Sequence, residues 1–208
     1  MVDKLPDELL EQAKILLTLP PNQANLRRAV STAYYSLFHL LVRSTILNWS
    51  DPLQRARIGR MFEHERMKKI SGATIKSVGI EIDLGDSNSI EVIRRTELTK
   101  VAQAFIILQQ ARHDADYNLE RPLDPADAIA QVDRANSAFV SWEVASDSEV
   151  GREYLFSLLF KERERTYRVV PCAQSSLQSP LAEKSPDASV RITHHSERAA
   201  FCLSCCAK

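Results

Sequence analysis

The sequence predicts an all-α protein, an antiparallel up-and-down bundle of five to six helices followed by a disordered C-terminal tail. Apolar residues recur at three- and four-residue spacing along most of the chain, and short segments with capping residues or proline interrupt this pattern. Short connections between amphipathic helices favour antiparallel neighbours. Beyond Val170 the chain is rich in Ser, Pro and Ala and has no sustained period. We therefore divide it into a helical domain, 1–168, and a disordered or aberrant tail, 169–208.

The first two predicted helices are bounded by proline and asparagine. Pro6 opens a short amphipathic helix that Pro20 ends. Asn22 or Asn25 then caps the long second helix, which contains the stretch Leu26–Trp49 and has neither Gly nor Pro. Its apolar residues form two adjoining stripes, so we expect this helix at the centre of the bundle.

A third helix is predicted to begin at Pro52 and to run to about Ile70. Ser71 and Gly72 should stop it, because both residues are poor helix formers. The following segment, residues 73–86, contains two glycines and alternates weakly between apolar and polar residues. We expect it to be an extended strap or a loop.

The remaining helices begin at cap signals, and the predicted cap residues are Ser87 or Ser89, Asp124 and Ser148. The first of these helices runs to about Ala115 and carries Arg112 on or beside its core-facing stripe. The second ends near Ser146, and the last continues to about Arg168.

Composition restricts the classes of function. Lys and Arg number 27, as do Asp and Glu, so no overall field attracts nucleic acid or membrane, and any anion site must be local. No run approaches the roughly 18 apolar residues of a membrane span, and no signal peptide is recognisable. Cys202 and Cys205 have the spacing of half a zinc knuckle, but the other half is missing. We expect a cytoplasmic protein without metal, cofactor or membrane contact.

Two stretches resemble HEPN domains, small helical proteins of prokaryotic defence and toxin-antitoxin systems. They are RRAVSTAYYSLFHLL, residues 27–41, and RHDADYN, residues 112–118; the intervening FEHERMK, residues 62–68, also fits. The resemblance covers roughly Leu5–Arg165. It implies an up-and-down helical bundle that forms a homodimer, and the family includes both metal-independent endoribonucleases and inactive RNA- or nucleotide-binding relatives.

The resemblance also implies a site at Arg112. In the ribonuclease members, an Arg that can clamp phosphate is followed four to six residues later by a His that can exchange a proton. Here the fifth residue after Arg112 is Tyr117, and the adjacent His113 is turned roughly 100° away on the helix. We therefore expect RNA or nucleotide binding through arginines. One alternative is an endoribonuclease in which Arg112 contacts phosphate and His113, Tyr117 or a residue of the partner subunit completes the chemistry; another is a protein-interaction module that partners a nucleotidyltransferase.

Arg27 and Arg28 lie in the first turns of the long second helix, near the positive end of its dipole. Cations are unfavourable there unless an anion or a carboxylate is close. Bundle packing could bring both residues to Arg112, so that three guanidinium groups converge on one phosphate. The alternative is that these arginines form salt bridges with Asp114 and Asp116.

A second group of basic residues surrounds His64. Arg60 precedes His64 by one helical turn in the predicted third helix, so both are candidates for RNA or nucleotide binding. The alternative is a solvated face on which the basic residues pair with Glu63 and Glu65. Three residues of the long second helix are expected to serve packing rather than catalysis: Tyr34, Tyr35 and His39.

Overall fold

The computed structural model describes residues 4–83 and 90–159, in which all regular secondary structure is helical. The predicted all-α class is confirmed. Seven helices occur in these ranges: α1 (Leu5–Thr18), α2 (Gln23–Ile46), α3 (Pro52–Gly59), α4 (His64–Asp83), α5 (Ile90–Tyr117), α6 (Pro125–Ala145) and α7 (Glu149–Leu159). No helix in the two described ranges combines the length and the apolar character needed to cross a bilayer.

Helix α2 is central, as its sequence predicts. Fifteen of its 24 residues are buried, and it packs against α1, α5 and α6. Asn22 caps it, because the Asn22 side chain accepts a hydrogen bond of 2.9 Å from the backbone N–H of Asn25. The burial of residues around most of the helix accounts for the two adjoining apolar stripes.

The predicted third helix is wrong as a single element, since it is interrupted after Gly59. The backbone N–H of Arg60 bonds the carbonyls of Arg57 and Ile58, which closes α3, and α4 begins at His64. Helix α3 has eight residues and buries none of them. Because so short a helix is marginal without tertiary packing, there is little to keep α3 and α4 aligned as one continuous helix.

The predicted stop at Ser71 and Gly72 is also wrong, since α4 continues to Asp83 through most of the expected strap or loop. The Ser71 hydroxyl donates to the carbonyl of Met67 at 2.8 Å and pairs with the Tyr154 hydroxyl of α7 at 2.8 Å. Packing between α4 and α7 therefore satisfies a residue that alone disfavours a helix. Residues 84–86 of the expected loop lie outside the described residues.

The later cap signals are confirmed. The Asp124 carboxylate accepts from the N–H of Ala126 at 2.7 Å at the start of α6, and the Ser148 hydroxyl accepts from the N–H of Gly151 at 3.0 Å in α7. Helix α5 ends at Tyr117, two residues beyond the predicted end. The cap at Ser87 or Ser89, the continuation to Arg168, the tail 169–208 and its cysteines all lie outside the described residues.

Candidate functional site

Arg112 is held between α5 and α2. Its Nη2 donates to the Tyr35 hydroxyl at 3.0 Å, and its Nε lies 2.7 Å from Oδ2 of Asp116. The N–H of Nε makes no hydrogen bond in the described chain, so the contact with Asp116 is an ion pair rather than a well-aligned hydrogen bond. The Cζ atom lies 5.5 Å from the ring centroid of Tyr35 and 5.8 Å from that of Tyr117. Two rings and two polar partners therefore fix the guanidinium.

Asp116 is itself tied to α2, because its Oδ2 accepts a long contact of 3.5 Å from the Ser31 hydroxyl. The side chain of Arg112 is 22% exposed. Its Nη1 forms no hydrogen bond with any described residue. The guanidinium is thus oriented by the protein while one of its nitrogens is left for a ligand.

His64, the first residue of α4, lies in an aromatic environment beside this arginine. Its Nδ1 is 2.6 Å from the Tyr34 hydroxyl, and its ring centroid is 4.5 Å from that of Phe38 and 6.1 Å from that of Tyr35. Burial, and then the positive charge of Arg112, lower the pKa of His64 below its usual 6.5. The neutral imidazole therefore predominates at pH 7. The structure brings together two candidates, Arg112 and His64, that are distant in sequence.

Tyr34 is fully buried, and burial raises the pKa of its phenol well above the ordinary value. The hydroxyl therefore stays protonated and pairs with a neutral imidazole. If Nδ1 of His64 carries the hydrogen, it donates to the Tyr34 oxygen and leaves Nε2 as a proton acceptor. Burial and the neighbouring His64 likewise lower the pKa of His39, whose ring contacts those of Tyr35 and Phe38 at 6.5 and 5.3 Å.

These residues form an aromatic–histidine cluster, which we define as Tyr34, Tyr35, Phe38, His39 and His64. The expected packing role of Tyr34 agrees with its complete burial, whereas Tyr35 is only partly buried. Sequence reasoning missed Tyr35 as the residue that holds Arg112. The available signal was its position on the second apolar stripe of α2.

Arg27 has a different environment from the one expected. Its Nη1 donates to the carbonyls of Ala115 at 2.8 Å and Asn118 at 3.0 Å, and its Nη2 donates to that of Arg121 at 2.7 Å. These carbonyls lie at the C-terminal end of α5 and in the following connection, where helix carbonyls lack intrahelical partners. Arg28 is exposed and pairs with no described residue. The three arginines therefore do not converge, because Arg27 is committed to main-chain carbonyls.

The other candidates lie at the margin of the site. Exposed His113 contacts Tyr117, with ring centroids 5.1 Å apart, and shares no ring contact with the aromatic–histidine cluster in the described residues. Tyr117 lies beside Arg112. Arg60 is exposed, and the break between α3 and α4 separates it from the helical turn of His64. Within residues 4–83 and 90–159, neither Glu63 nor Glu65 forms an ion pair.

A cavity of about 530 Å³ lies between α4, α5 and α7. Its described lining includes Glu149 and Glu153, and the one arginine there, Arg95, is paired with Glu91, so acidic groups predominate and the phosphate-binding candidate remains Arg112. The described part of the chain has no group of three or more His, Cys, Asp or Glu residues that could hold a metal ion. No protein-family model, curated protein or solved structure matches this chain.

Proposed function

We propose that this protein is HEPN-like and binds RNA or a nucleotide by holding a phosphate at Arg112. The observation that carries the proposal is the orientation of the Arg112 guanidinium by Tyr35 and Asp116, with Nη1 left unpaired in the described chain. The all-α fold is compatible with the resemblance of residues 27–41 and 112–118 to HEPN domains. The proposal includes a homodimer that acts in a cytoplasmic defence or toxin-antitoxin system.

Arg112 has enough free N–H groups to bind a phosphate without breaking the contacts that it makes in the structure. A guanidinium has five N–H groups. One donates to Tyr35 and one faces Asp116, which leaves three, two on Nη1 and one on Nη2. Nη1 and Nη2 form one edge of the planar fork, so a phosphate can be bound through two parallel hydrogen bonds while Asp116 stays in place.

Binding of a labelled single-stranded RNA, measured by fluorescence anisotropy over a range of salt concentrations, tests this proposal. Arg112→Ala should weaken binding at least ~10-fold, because a hydrogen bond to a charged group contributes about 1.5–3 kcal/mol. Arg112→Lys should recover only part of the affinity, since an ammonium lacks the planar fork. Arg28→Ala is the matched control, an exposed arginine without a described partner. Equal affinity of folded wild type and Arg112→Ala would show that the phosphate is not held there.

A second candidate function, metal-independent RNA cleavage, is favoured by the position of His64, whose ring and the guanidinium of Arg112 both contact the ring of Tyr35, at 6.1 and 5.5 Å from its centroid. In that reaction the imidazole accepts the proton of a ribose 2′-hydroxyl, and the 2′ oxygen attacks phosphorus. The bond from phosphorus to the 5′ oxygen breaks, and the leaving oxygen takes a proton from solvent. Arg112 stabilises the negative charge on the phosphoryl oxygens. His64, rather than His113 or Tyr117, then supplies the base.

Cleavage in EDTA separates the two candidates. If the protein is a ribonuclease, His64→Gln should reduce the rate by about 10²- to 10⁴-fold, the usual contribution of an acid/base residue. His113→Ala is the comparison variant and should reduce the rate less than His64→Gln, because that histidine is exposed and has no ring contact with the aromatic–histidine cluster in the described residues. Absence of cleavage by a folded wild-type protein that still binds RNA would rule out the ribonuclease and leave the binding function in place.

A further inference from the structure

Tyr117 is a large aromatic residue that the fold leaves 65% exposed at the C-terminal end of α5. Exposure of one tyrosine has little meaning by itself. Its position is more informative, because the Arg112 Cζ lies 5.8 Å from its ring centroid. The ring of Tyr117 is therefore the direct neighbour of the guanidinium that is proposed to hold phosphate.

The ring of Tyr117 is supported from within α5. His113, one helical turn earlier, contacts it at 5.1 Å between centroids with an interplanar angle of 48°. The surrounding main chain is fixed by Arg27, which donates to the carbonyls of Ala115 and Asn118 on either side of Tyr117. An aromatic surface that is anchored and still accessible loses little conformational freedom when a flat ligand packs on it.

We propose that Tyr117 is a stacking platform for a nucleobase next to the phosphate held at Arg112, so that the site selects single-stranded RNA. This inference rests on the proposed function and specifies its substrate. Bases of a duplex are stacked on one another, and their faces reach a protein ring only after unstacking. Single strands offer base faces freely, and every base has one, so Tyr117 confers preference for strandedness rather than for sequence.

The test measures the affinity of the full-length protein for three RNA probes of equal length. They are a single strand, the same strand without its bases, and a duplex. Wild type should bind the single strand more tightly than the abasic strand by roughly 5- to 150-fold, the range for one base on one aromatic ring. It should bind the duplex more weakly than the single strand. Tyr117→Ala should abolish the preference for bases and reduce the affinity for the abasic strand far less than that for the single strand, because Tyr35 and Asp116 still orient Arg112. Tyr117→Phe should keep the preference, because it keeps the ring.

Three results would overturn the inference. In the first, Tyr117→Ala retains the preference for bases, which means that they stack elsewhere. In the second, Tyr117→Ala loses affinity for the single and abasic strands equally, which indicates a purely structural role. In both cases a loss of abasic binding in Arg112→Ala would leave the proposed function intact. In the third, the folded wild type binds none of the probes, and the proposed function fails together with the inference.

Discussion

Replacing Arg27 with alanine should destabilise the protein by about 2–3 kcal/mol. The substitution removes three short hydrogen bonds from a cation to carbonyls, of which that of Ala115 belongs to a buried residue and those of Asn118 and Arg121 to exposed ones. It also removes a long contact of 3.5 Å with the carbonyl of exposed Asp114, which we leave out of the sum. A bond of this type contributes about 1.5–3 kcal/mol, and water replaces much of it where the carbonyl is exposed. We therefore count one bond in full and the other two in small part, together with a modest helix-dipole contribution.

Thermal unfolding followed by circular dichroism measures this loss. For a chain of this size, it corresponds to a fall in Tm of roughly 4–12 °C. Arg28→Ala is the matched control and should stay within about 0.5 kcal/mol of wild type, because Arg28 is exposed and has no described partner. Arg27→Lys should be intermediate, since one ammonium does not span all three carbonyls. If Arg27→Ala melts together with Arg28→Ala, Arg27 does not stabilise the end of α5 as reasoned.

Three further predictions concern packing, a buried hydrogen bond and pH. Gly151→Ala should destabilise by at least ~2 kcal/mol in urea unfolding, because its Cβ would lie 2.2 Å from a carbonyl oxygen of α6. Gly72→Ala should instead stabilise by about 0.5–1 kcal/mol, because Gly72 lies inside α4 and the atom nearest to its Cβ would be 4.0 Å away. The opposite order of the two variants would contradict both assignments. Ser71→Ala should destabilise by about 1–3 kcal/mol, because the Tyr154 phenol then loses its hydrogen-bond acceptor in a buried site. Tyr154→Phe should destabilise less, and equal losses would disprove that the phenol donates to the Ser71 hydroxyl. The pKa of His64 is lower in the folded protein than the usual 6.5, so between these two pKa values the unfolded chain binds more protons than the folded one. The stability of the folded protein should therefore fall as pH drops from about 6.5 through the folded pKa. Thermal melts of His64→Gln should show a shallower fall over the same pH range, and a fall as steep as that of wild type would contradict the assigned pKa shift.

Local signals in the sequence were sufficient for much of the fold. Asn22, Asp124 and Ser148 cap the helices they were expected to cap, because a cap bonds backbone groups two or three residues away. The same reasoning was wrong at Ser71 and Gly72. Their poor helix propensity is worth only about 0.5–1 kcal/mol each, and packing of α4 against α7 and α5 outweighs it. No local pattern contains that information.

The candidate site was likewise predictable from the sequence only in part. Counting along the apolar stripe of α5 placed Arg112 beside the core, where Tyr35 holds it. The role of Arg27 was not predictable, since these acceptors are carbonyls at the end of α5 and in the following connection, 88 to 94 residues away in sequence. The chemistry of a guanidinium suits a phosphate and a helix end equally well. Only the tertiary contacts distinguish the two uses.

No histidine lies four to six residues after Arg112, and under the candidate ribonuclease function His64, which is distant in sequence, takes that place. The break before α4 makes His64 the first residue of that helix, where its ring packs on Phe38 and bonds Tyr34. The charge of Arg112 then helps to keep the imidazole neutral. Under the proposed function, a bound phosphate offsets part of that charge and so raises the pKa of His64. Binding at Arg112 would thereby make the neighbouring imidazole a stronger proton acceptor while the substrate is present, which couples the phosphate-binding group to the candidate base without a histidine four to six residues after Arg112.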